Sequence, residues 1–375
     1  MRLTATDMKQ CICLFIVTVM TMGSGGDEVS DAELLVTGNR KFTAKMFSEV
    51  AKNNVKRALA IGLSDDESTK SVFAYMNKKI RSVKGIDLRM ANSIYIADGY
   101  NLNDDYLAIS REIFQSDIKS VDFTKSEKTT KEINAWVEDQ TNHHIKNLVS
   151  SEVLSEDTTA ILVNAIYFKG MWKDTFNKNV TRDSDFHATR EKTVKVPMMY
   201  RKGNFNYGES AELGAKILEI PYEGDESAFY IILPDEIDGI TELENKLQNP
   251  SVLENSLKSL FEIQVAAHIP KFKIETTTNL KDILQNIGVE KIFSAGEANL
   301  NKLLKENRDL YISDAVQKAF IEINEEGAEA AVANDFVISL AAPFTPQDIS
   351  FVADHPFVFV LKTGENILFS GVFSS

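Results

Sequence analysis

The pattern of apolar and polar positions predicts helices mainly in the first half of the chain and strands mainly in the second. Apolar residues recur at helical spacing over residues 39–52, 68–83, 104–114, 127–148 and 280–287. Alternating or continuous apolar runs predict strands at 88–97, 160–169, 194–200, 215–221, 228–233, 262–272, 315–323, 356–362 and 367–372. Because most helices precede most strands, the pattern indicates an α+β fold and not a series of βαβ units.

Two of these runs have particular patterns. Residues 160–169 (AILVNAIYFK) are almost wholly apolar, which is typical of a strand buried on both faces. Residues 324–344 (NEEGAEAAVANDFVISLAAPF) separate at a period of two into an apolar side and a mixed side, as a strand with one buried face does. The first half of this segment is rich in alanine, so its β-propensity is weak. A segment that fits a sheet without strongly preferring one can occupy two states.

The pattern of the N-terminus predicts a secretory signal peptide. Arg2 and Lys9 precede an apolar run at 11–22, and small residues follow at 23–26. The run is shorter than the roughly 20 residues that a membrane span needs. We therefore expect a signal peptide at 1–25, cleaved after Gly23 or Gly25, and a single secreted domain at 26–375. Both cysteines lie within the signal peptide, so the mature chain would contain none.

Composition and motifs disfavour several functions. The chain has 375 residues and a formal net charge of −14, which argues against nucleic-acid binding. It contains no nucleophile elbow, zinc-protease helix, phosphate loop or dinucleotide fingerprint, so we expect neither an enzyme nor a cofactor. His143 and His144 are adjacent and would point about 100° apart on a helix, so we expect no metal site.

Two surface features remain. Lys78, Lys79, Arg81 and Lys84 form a basic cluster that could bind a sulfated polyanion, although a merely solvated face explains it more simply. Asn179 begins the sequence Asn-Val-Thr, a candidate N-glycosylation site.

Eight motifs, in this order, resemble the serpins, and most closely the secreted serpins of insects. They are LVNAIYFKG at 162–170 with Trp172 and Phe176, VPMM at 196–199, IPYEG at 220–224, ILP at 232–234, IPKF at 269–272, KAFIEINEEG at 318–327, DHPF at 354–357 and LFSG at 368–371. The resemblance implies helices around a large central sheet, smaller sheets, and an exposed reactive loop at about 325–350. It also implies a monomeric inhibitor of serine proteases, which is cleaved in this loop, traps the protease as an acyl-enzyme and inserts the loop into the main sheet.

The resemblance assigns roles to individual residues. The loop hinge comprises Glu325, Glu326, Gly327, Ala328, Glu329, Ala330, Ala331, Val332 and Ala333. Asn164, Trp172 and Lys318 are expected to support the sheet and the point where the loop enters it. Gln317 stands where many serpins have histidine.

Counting from the hinge as the family does places the scissile bond between Ala341 and Ala342, and a shift of one residue gives Leu340–Ala341. A small residue before the bond suits an elastase-like protease, whereas leucine suits a chymotrypsin-like one. Residues 327–350 contain no lysine or arginine, which disfavours trypsin-like targets.

One departure from the family pattern is large. After Asn54, on the order of thirty residues of the usual serpin sequence are absent, including a helix that lies under the main sheet. A void costs roughly 2–5 kcal/mol for each leucine-sized loss. A non-inhibitory serpin, acting as a carrier, storage protein or chaperone-like protein, is therefore the alternative interpretation.

Overall fold

The computed structural model describes residues 20–22, 82–286, 289–326, 349–364 and 366–374. The helices are α1 (Asp104–Glu112), α2 (Ser126–Gln140), α3 (Ile240–Lys246), α4 (Pro250–Lys258) and α5 (Leu280–Asn286). The strands are β1 (Met20–Met22), β2 (Ile86–Ala97), β3 (Asp117–Val121), β4 (Ala160–Gly170), β5 (Arg182–His187), β6 (Thr193–Ser210), β7 (Ala215–Pro221), β8 (Ser227–Pro234), β9 (Phe261–Pro270), β10 (Phe272–Asn279), β11 (Asp314–Ile323), β12 (Ile349–Val352), β13 (Phe357–Thr363) and β14 (Asn366–Phe373).

These strands form two sheets. The five-stranded sheet has the order β10-β11-β4-β2-β3, and its central strand β4 is the apolar run at 160–169. The nine-stranded sheet has the order β1-β14-β13-β8-β7-β6-β9-β12, with β5 paired to β6. β1 lies inside the predicted signal peptide, so the mature chain would lack it. No helix in the described ranges is long and apolar enough to cross a membrane.

The five-stranded sheet packs against apolar clusters on both of its faces. On one side, Phe168 of β4 and Ile321 of β11 belong to a large apolar cluster that also contains residues of the nine-stranded sheet, such as Phe229 and Phe359. On the other side, α2 packs against the sheet and contributes Ile133 and Val137 to a second apolar cluster. The prediction that β4 is buried on both faces is therefore confirmed, since only Lys169 in it is partly exposed.

The predicted helix at 127–148 is wrong in its second half, because α2 ends at Gln140. Asn142, His143 and Asn147 have φ values of 51°, 65° and 51°, in the left-handed region that a helix cannot continue through. Thr141 stabilises the change of direction, because its hydroxyl donates to Val137 O at 2.8 Å and accepts from Ile145 N at 3.1 Å. The apolar side chains after Gln140 remain buried, so the hydrophobic pattern continues where the helix does not.

The predicted strand at 262–272 is in fact two strands in different sheets. β9 ends at Pro270 and belongs to the nine-stranded sheet, whereas β10 begins at Phe272 and belongs to the five-stranded sheet. Proline has no N–H to continue a ladder, so the chain changes sheet at Lys271. β6 is also much longer than the predicted 194–200. The predicted helix at 39–52 lies outside the described residues, as does nearly all of the one at 68–83.

Candidate functional site

The boundary between β4 and β11 is the one parallel pairing next to the centre of the five-stranded sheet. It runs from Asp314 opposite Ile161 to Glu322 opposite Lys169, and the outer neighbours of both strands, β10 and β2, are antiparallel to them. We call this boundary the slot. The end of the slot at Glu322 and Lys169 is its upper end. There the chain leaves β11 through Asn324 to Glu326, beside the end of β4. A segment that turned back there and entered the slot would run antiparallel to both strands.

Trp172 anchors the chain as it leaves β11. Its indole is 1% exposed and stacks on Tyr222, with ring centroids 4.5 Å apart and an interplanar angle of 7°. The indole N–H donates to Asn324 O at 2.7 Å, and the backbone N–H of Trp172 donates to Glu326 O at 3.2 Å. Trp172 therefore holds the exit of the slot by the packing of its ring and by one side-chain and one backbone hydrogen bond.

Glu325 is the buried member of an acidic pair at this exit. Its side chain is 3% exposed and accepts hydrogen bonds from Thr181 Oγ1 and Lys271 Nζ, each at 2.8 Å. Burial raises the pKa of Glu325, but the hydrogen bonds from Lys271, from its own backbone and from Thr181 outweigh burial and hold the pKa below its usual value. Glu325 is therefore ionised at neutral pH.

Glu326 is the more exposed member of the pair. It accepts hydrogen bonds from Lys169 and from Lys178 Nζ, the latter at 3.1 Å. These bonds lower the pKa of Glu326 to about 2, so this carboxylate is also charged at neutral pH. We use the name hinge clamp for the two glutamates with their partners, namely Lys169, Trp172, Lys178, Thr181 and Lys271.

A chain of side-chain amides crosses the slot lower down. Gln317 Nε2 on β11 donates to Asn164 Oδ1 on β4 at 2.7 Å, and Asn164 Nδ2 donates to Asn92 Oδ1 on β2. Gln317 and Asn164 are opposite each other in register and are 1% and 5% exposed. A strand that entered the slot would have to break the bond between them, so this amide chain helps to keep the slot closed.

We expect Asn164→Ala to lower the free energy of unfolding by about 1–3 kcal/mol, because it leaves the buried amide of Gln317 without its Asn164 acceptor. Urea unfolding followed by circular dichroism measures the change. Asn206→Ala is a suitable control, because Asn206 makes its hydrogen bond to Glu219 across the β6–β7 pairing of the nine-stranded sheet, which does not contain the slot. Equal losses in the two variants would contradict a special role for the amide chain.

On the face of the five-stranded sheet opposite the amide chain, the segment that follows α2 covers the slot. The imidazole of His144 stacks on Tyr167 of β4 at 3.9 Å, and Tyr167 stacks on Phe320 of β11 at 5.4 Å. Burial lowers the pKa of His144, so the ring is neutral at physiological pH. Lys318 Nζ of β11 donates to Lys146 O at 2.6 Å. This segment is thus fastened to both strands of the slot and must shift if they separate.

The structure brings together only some of the predicted site residues. Asn164 lies in the amide chain, and Trp172, Glu325 and Glu326 lie in the hinge clamp. Lys318 is opposite Ala165 in register, midway along the slot, and pairs with Glu275 at 2.5 Å. Its predicted role where the loop enters the sheet stays a prediction. Lys84 and Asn179 are described and exposed. The remaining predicted residues, which are Gly327, Ala328, Glu329, Ala330, Ala331, Val332, Ala333, Leu340, Ala341, Ala342, Lys78, Lys79 and Arg81, lie outside the described residues.

Sequence reasoning missed four members of the hinge clamp and the His144 stack. Lys169 and Lys271 stand inside motifs that carry the family resemblance, but only the fold shows that both reach the acidic pair. Lys178 and Thr181 lie in a short 3₁₀ turn and its flank, and no sequence pattern marks them as partners of the acidic pair. The charge pairing of an acidic doublet with lysines elsewhere was the available signal, and it does not identify the lysines.

Comparisons with known proteins agree with this arrangement. The family model "Serpin (serine protease inhibitor)" matches residues 35–375. Antichymotrypsin-2 of Bombyx mori is 45% identical, over 91% of this chain and 98% of that protein. Antitrypsin of Bombyx mori is 42% identical, over 98% and 100%. The crystal structure of Serpin48 of the insect Tenebrio molitor superposes with a TM-score of 0.76 at 31% identity, covering 99% and 98%. The chain belongs to the serpin family.

The alignments also bear on the absent segment. The alignment with the Bombyx antitrypsin extends over 395 positions although it takes in 98% of a chain of 375 residues. It therefore contains positions that this chain lacks, and their number is close to the size of the segment that the sequence predicts to be absent after Asn54. The location of the gap stays a prediction.

Proposed function

We propose that this chain is a secreted inhibitor of serine proteases that acts as a suicide substrate. The target protease cleaves the reactive loop, is held as an acyl-enzyme, and is carried along as the loop enters the slot between β4 and β11. The observation that supports this most strongly is the parallel pairing of β4 and β11, with the chain leaving the sheet at the upper end of the slot.

Insertion is favourable on physical grounds. It replaces one parallel pairing by two antiparallel pairings, and antiparallel pairing is slightly more stable per residue. Each added ladder bond contributes roughly 0.5–1.5 kcal/mol, which the lost entropy of the loop partly offsets. A strand over 327–341 extends about 46 Å at ~3.3 Å per residue, so a tethered protease would move by roughly its own diameter.

The loop sequence supports elastase-like or chymotrypsin-like targets. Ala341–Ala342 suits a shallow specificity pocket, and Leu340–Ala341 suits a larger apolar one. The absence of lysine and arginine from 327–350 disfavours trypsin-like targets. One relative is named an antichymotrypsin and another an antitrypsin, so the names of the relatives alone do not decide between these classes.

We expect the purified chain to form a complex with elastase or chymotrypsin that survives denaturing electrophoresis. Mass spectrometry of the released C-terminal peptide should show that it begins at Ala342, or at Ala341 if Leu340 precedes the bond. Trypsin should form no such complex.

A matched pair of loop variants sharpens this test. Ala330 falls on the predicted buried side of the inserted strand, and Ala331 falls on the other side. Ala330→Glu should therefore abolish the complex while cleavage continues, because insertion would bury an unpaired charge, whereas Ala331→Glu should retain it. Cleavage of the unmodified chain without any complex would refute the proposal.

A non-inhibitory serpin is the second candidate, favoured by the positions that the chain lacks in the alignment. Cleavage without a complex, together with unchanged stability after cleavage, would support it, because loop insertion stabilises the cleaved form.

A further inference from the structure

The turn that holds the hinge clamp also contains the N-glycosylation sequence. Asn179, Val180 and Thr181 follow Lys178 in and after the 3₁₀ turn Lys178–Val180. Asn179 and Val180 are exposed, and Asn177 Oδ1 fixes the turn by accepting from the backbone N–H of Asn179 at 2.9 Å. No other position in the full sequence has Asn-x-Ser/Thr with x other than proline.

The residue before this asparagine and the threonine two positions after it both contact the hinge. Lys178 Nζ binds Glu326 at 3.1 Å, and the Thr181 hydroxyl donates to Glu325 at 2.8 Å. Two residues of chain span at most about 7 Å, so the side chain of Asn179 is rooted within that distance of the backbone of Thr181. Whatever Asn179 carries must lie next to the upper end of the slot.

We propose that Asn179 carries an N-linked glycan, and that this glycan shields the upper end of the slot from a strand of a second copy of the chain. The inference rests on the secretion part of the proposed function, since the modification requires entry into the secretory pathway. The amide nitrogen of Asn179 loses one hydrogen and bonds to the anomeric carbon of an oligosaccharide. The donor, an oligosaccharide on a lipid pyrophosphate, releases the lipid pyrophosphate, which carries the displaced proton.

Thr181 belongs both to the glycosylation sequence and to the hinge clamp, and this determines whether glycosylation or folding comes first. Its hydroxyl is needed for recognition of the glycosylation sequence, yet in the folded chain this hydroxyl is bonded to Glu325. The glycan is therefore added to the nascent chain before the hinge clamp forms. Folding then places the bulky, hydrated glycan on an exposed turn beside the clamp.

The glycan should affect two kinds of strand addition differently. A slot that opens transiently presents unpaired strand edges, to which any extended segment can add. The chain's own loop is tethered at Glu326 and enters from within the molecule, whereas a segment of another copy must approach from solvent past Asn179. The glycan should therefore slow association between copies and leave insertion of the chain's own loop nearly unchanged.

The first experiment tests occupancy. The full chain is expressed in insect cells with its own leader and, in parallel, with an established foreign leader in place of residues 1–25. The mass of each product is measured by mass spectrometry before and after treatment with peptide N-glycosidase. We expect a loss of glycan mass and conversion of Asn179 to aspartate, with neither change in Asn179→Gln. An unmodified Asn179 in protein secreted with the foreign leader would overturn the inference. Retention in the cell with the native leader, together with glycosylation under the foreign one, would contradict secretion and not the glycan site.

The second experiment tests shielding. Glycosylated, enzymatically deglycosylated and Asn179→Gln proteins are warmed at several concentrations, and the remaining monomer is measured by size-exclusion chromatography. Both glycan-free forms should lose monomer several-fold faster, and the difference should grow with concentration, while the stoichiometry of protease inhibition stays the same. Val180→Ala, which keeps the Asn-x-Thr glycosylation sequence and changes an exposed side chain outside the hinge clamp, should behave as the glycosylated protein. Equal monomer loss in all forms would overturn the shielding role.

Discussion

Replacing Trp172 by alanine is expected to lower the free energy of unfolding by about 3–5 kcal/mol. The indole is 1% exposed, stacks on Tyr222 and lies 6.1 Å from both Phe176 and Phe229, ring centroid to ring centroid, so its removal leaves a cavity that these rigid rings cannot fill. The substitution also removes the N–H that donates to Asn324 O. Urea unfolding of the purified variant, followed by circular dichroism, measures the loss.

Two further variants separate the causes of this effect. Trp172→Phe keeps an aromatic ring and loses the N–H donor, so it should cost about 1–3 kcal/mol and less than Trp172→Ala. Trp136→Ala removes the same side chain from a half-buried position on α2, where Lys119 lies 4.8 Å from the ring centroid, and should also cost less. A loss at Trp172→Ala no greater than at Trp136→Ala would show that the hinge clamp does not depend on this ring.

The fold class and the central strand could be predicted from the sequence, because burial on both faces leaves a continuous apolar run at 160–169. The end of α2 could not. The apolar spacing of Ile133, Val137, Ile145 and Leu148 is helical throughout, and all four are buried. The helix nevertheless stops at Gln140, because Thr141 bonds to the backbone on both sides of it and Asn142 adopts a positive φ. Local hydrogen bonds of this kind do not alter hydrophobic periodicity.

Only those residues of the candidate site that stand in family-like motifs could be predicted from the sequence. Trp172 and the Glu325–Glu326 pair stand in sequences that resemble the family, so they could be named in advance. Their partners come from separate parts of the chain: Lys271 lies between two strands of different sheets, and Thr181 lies in a turn. A hydrogen bond between residues more than fifty positions apart depends on the register of the sheets, which periodicity does not specify.

We expect Glu325→Lys to open the hinge clamp and to make the monomer associate into oligomers far faster. The change removes an ionised carboxylate that is 3% exposed, leaves Thr181 without its acceptor and sets a second positive charge beside Lys271. Loss of these contacts costs on the order of 3 kcal/mol, which corresponds to an acceleration of about a hundredfold if the clamp opens before the slot does. Size-exclusion chromatography after mild heating measures the remaining monomer.

Three controls relate the effect to the clamp and not to charge alone. Glu212→Lys makes the same charge change on the exposed turn between β6 and β7 and should leave the rate of association unchanged. Glu325→Gln retains an acceptor for Thr181 without adding a positive charge, so its rate should lie between those of the unmodified chain and Glu325→Lys. Glu326→Gln should have a smaller effect than Glu325→Lys, because the side chain of Glu326 is 40% exposed and water can replace its lysine partners. If Glu325→Lys and Glu212→Lys lose monomer at the same rate, opening of the slot is controlled by contacts outside the hinge clamp, such as the amide chain from Gln317 to Asn92 or the His144 stack on the opposite face.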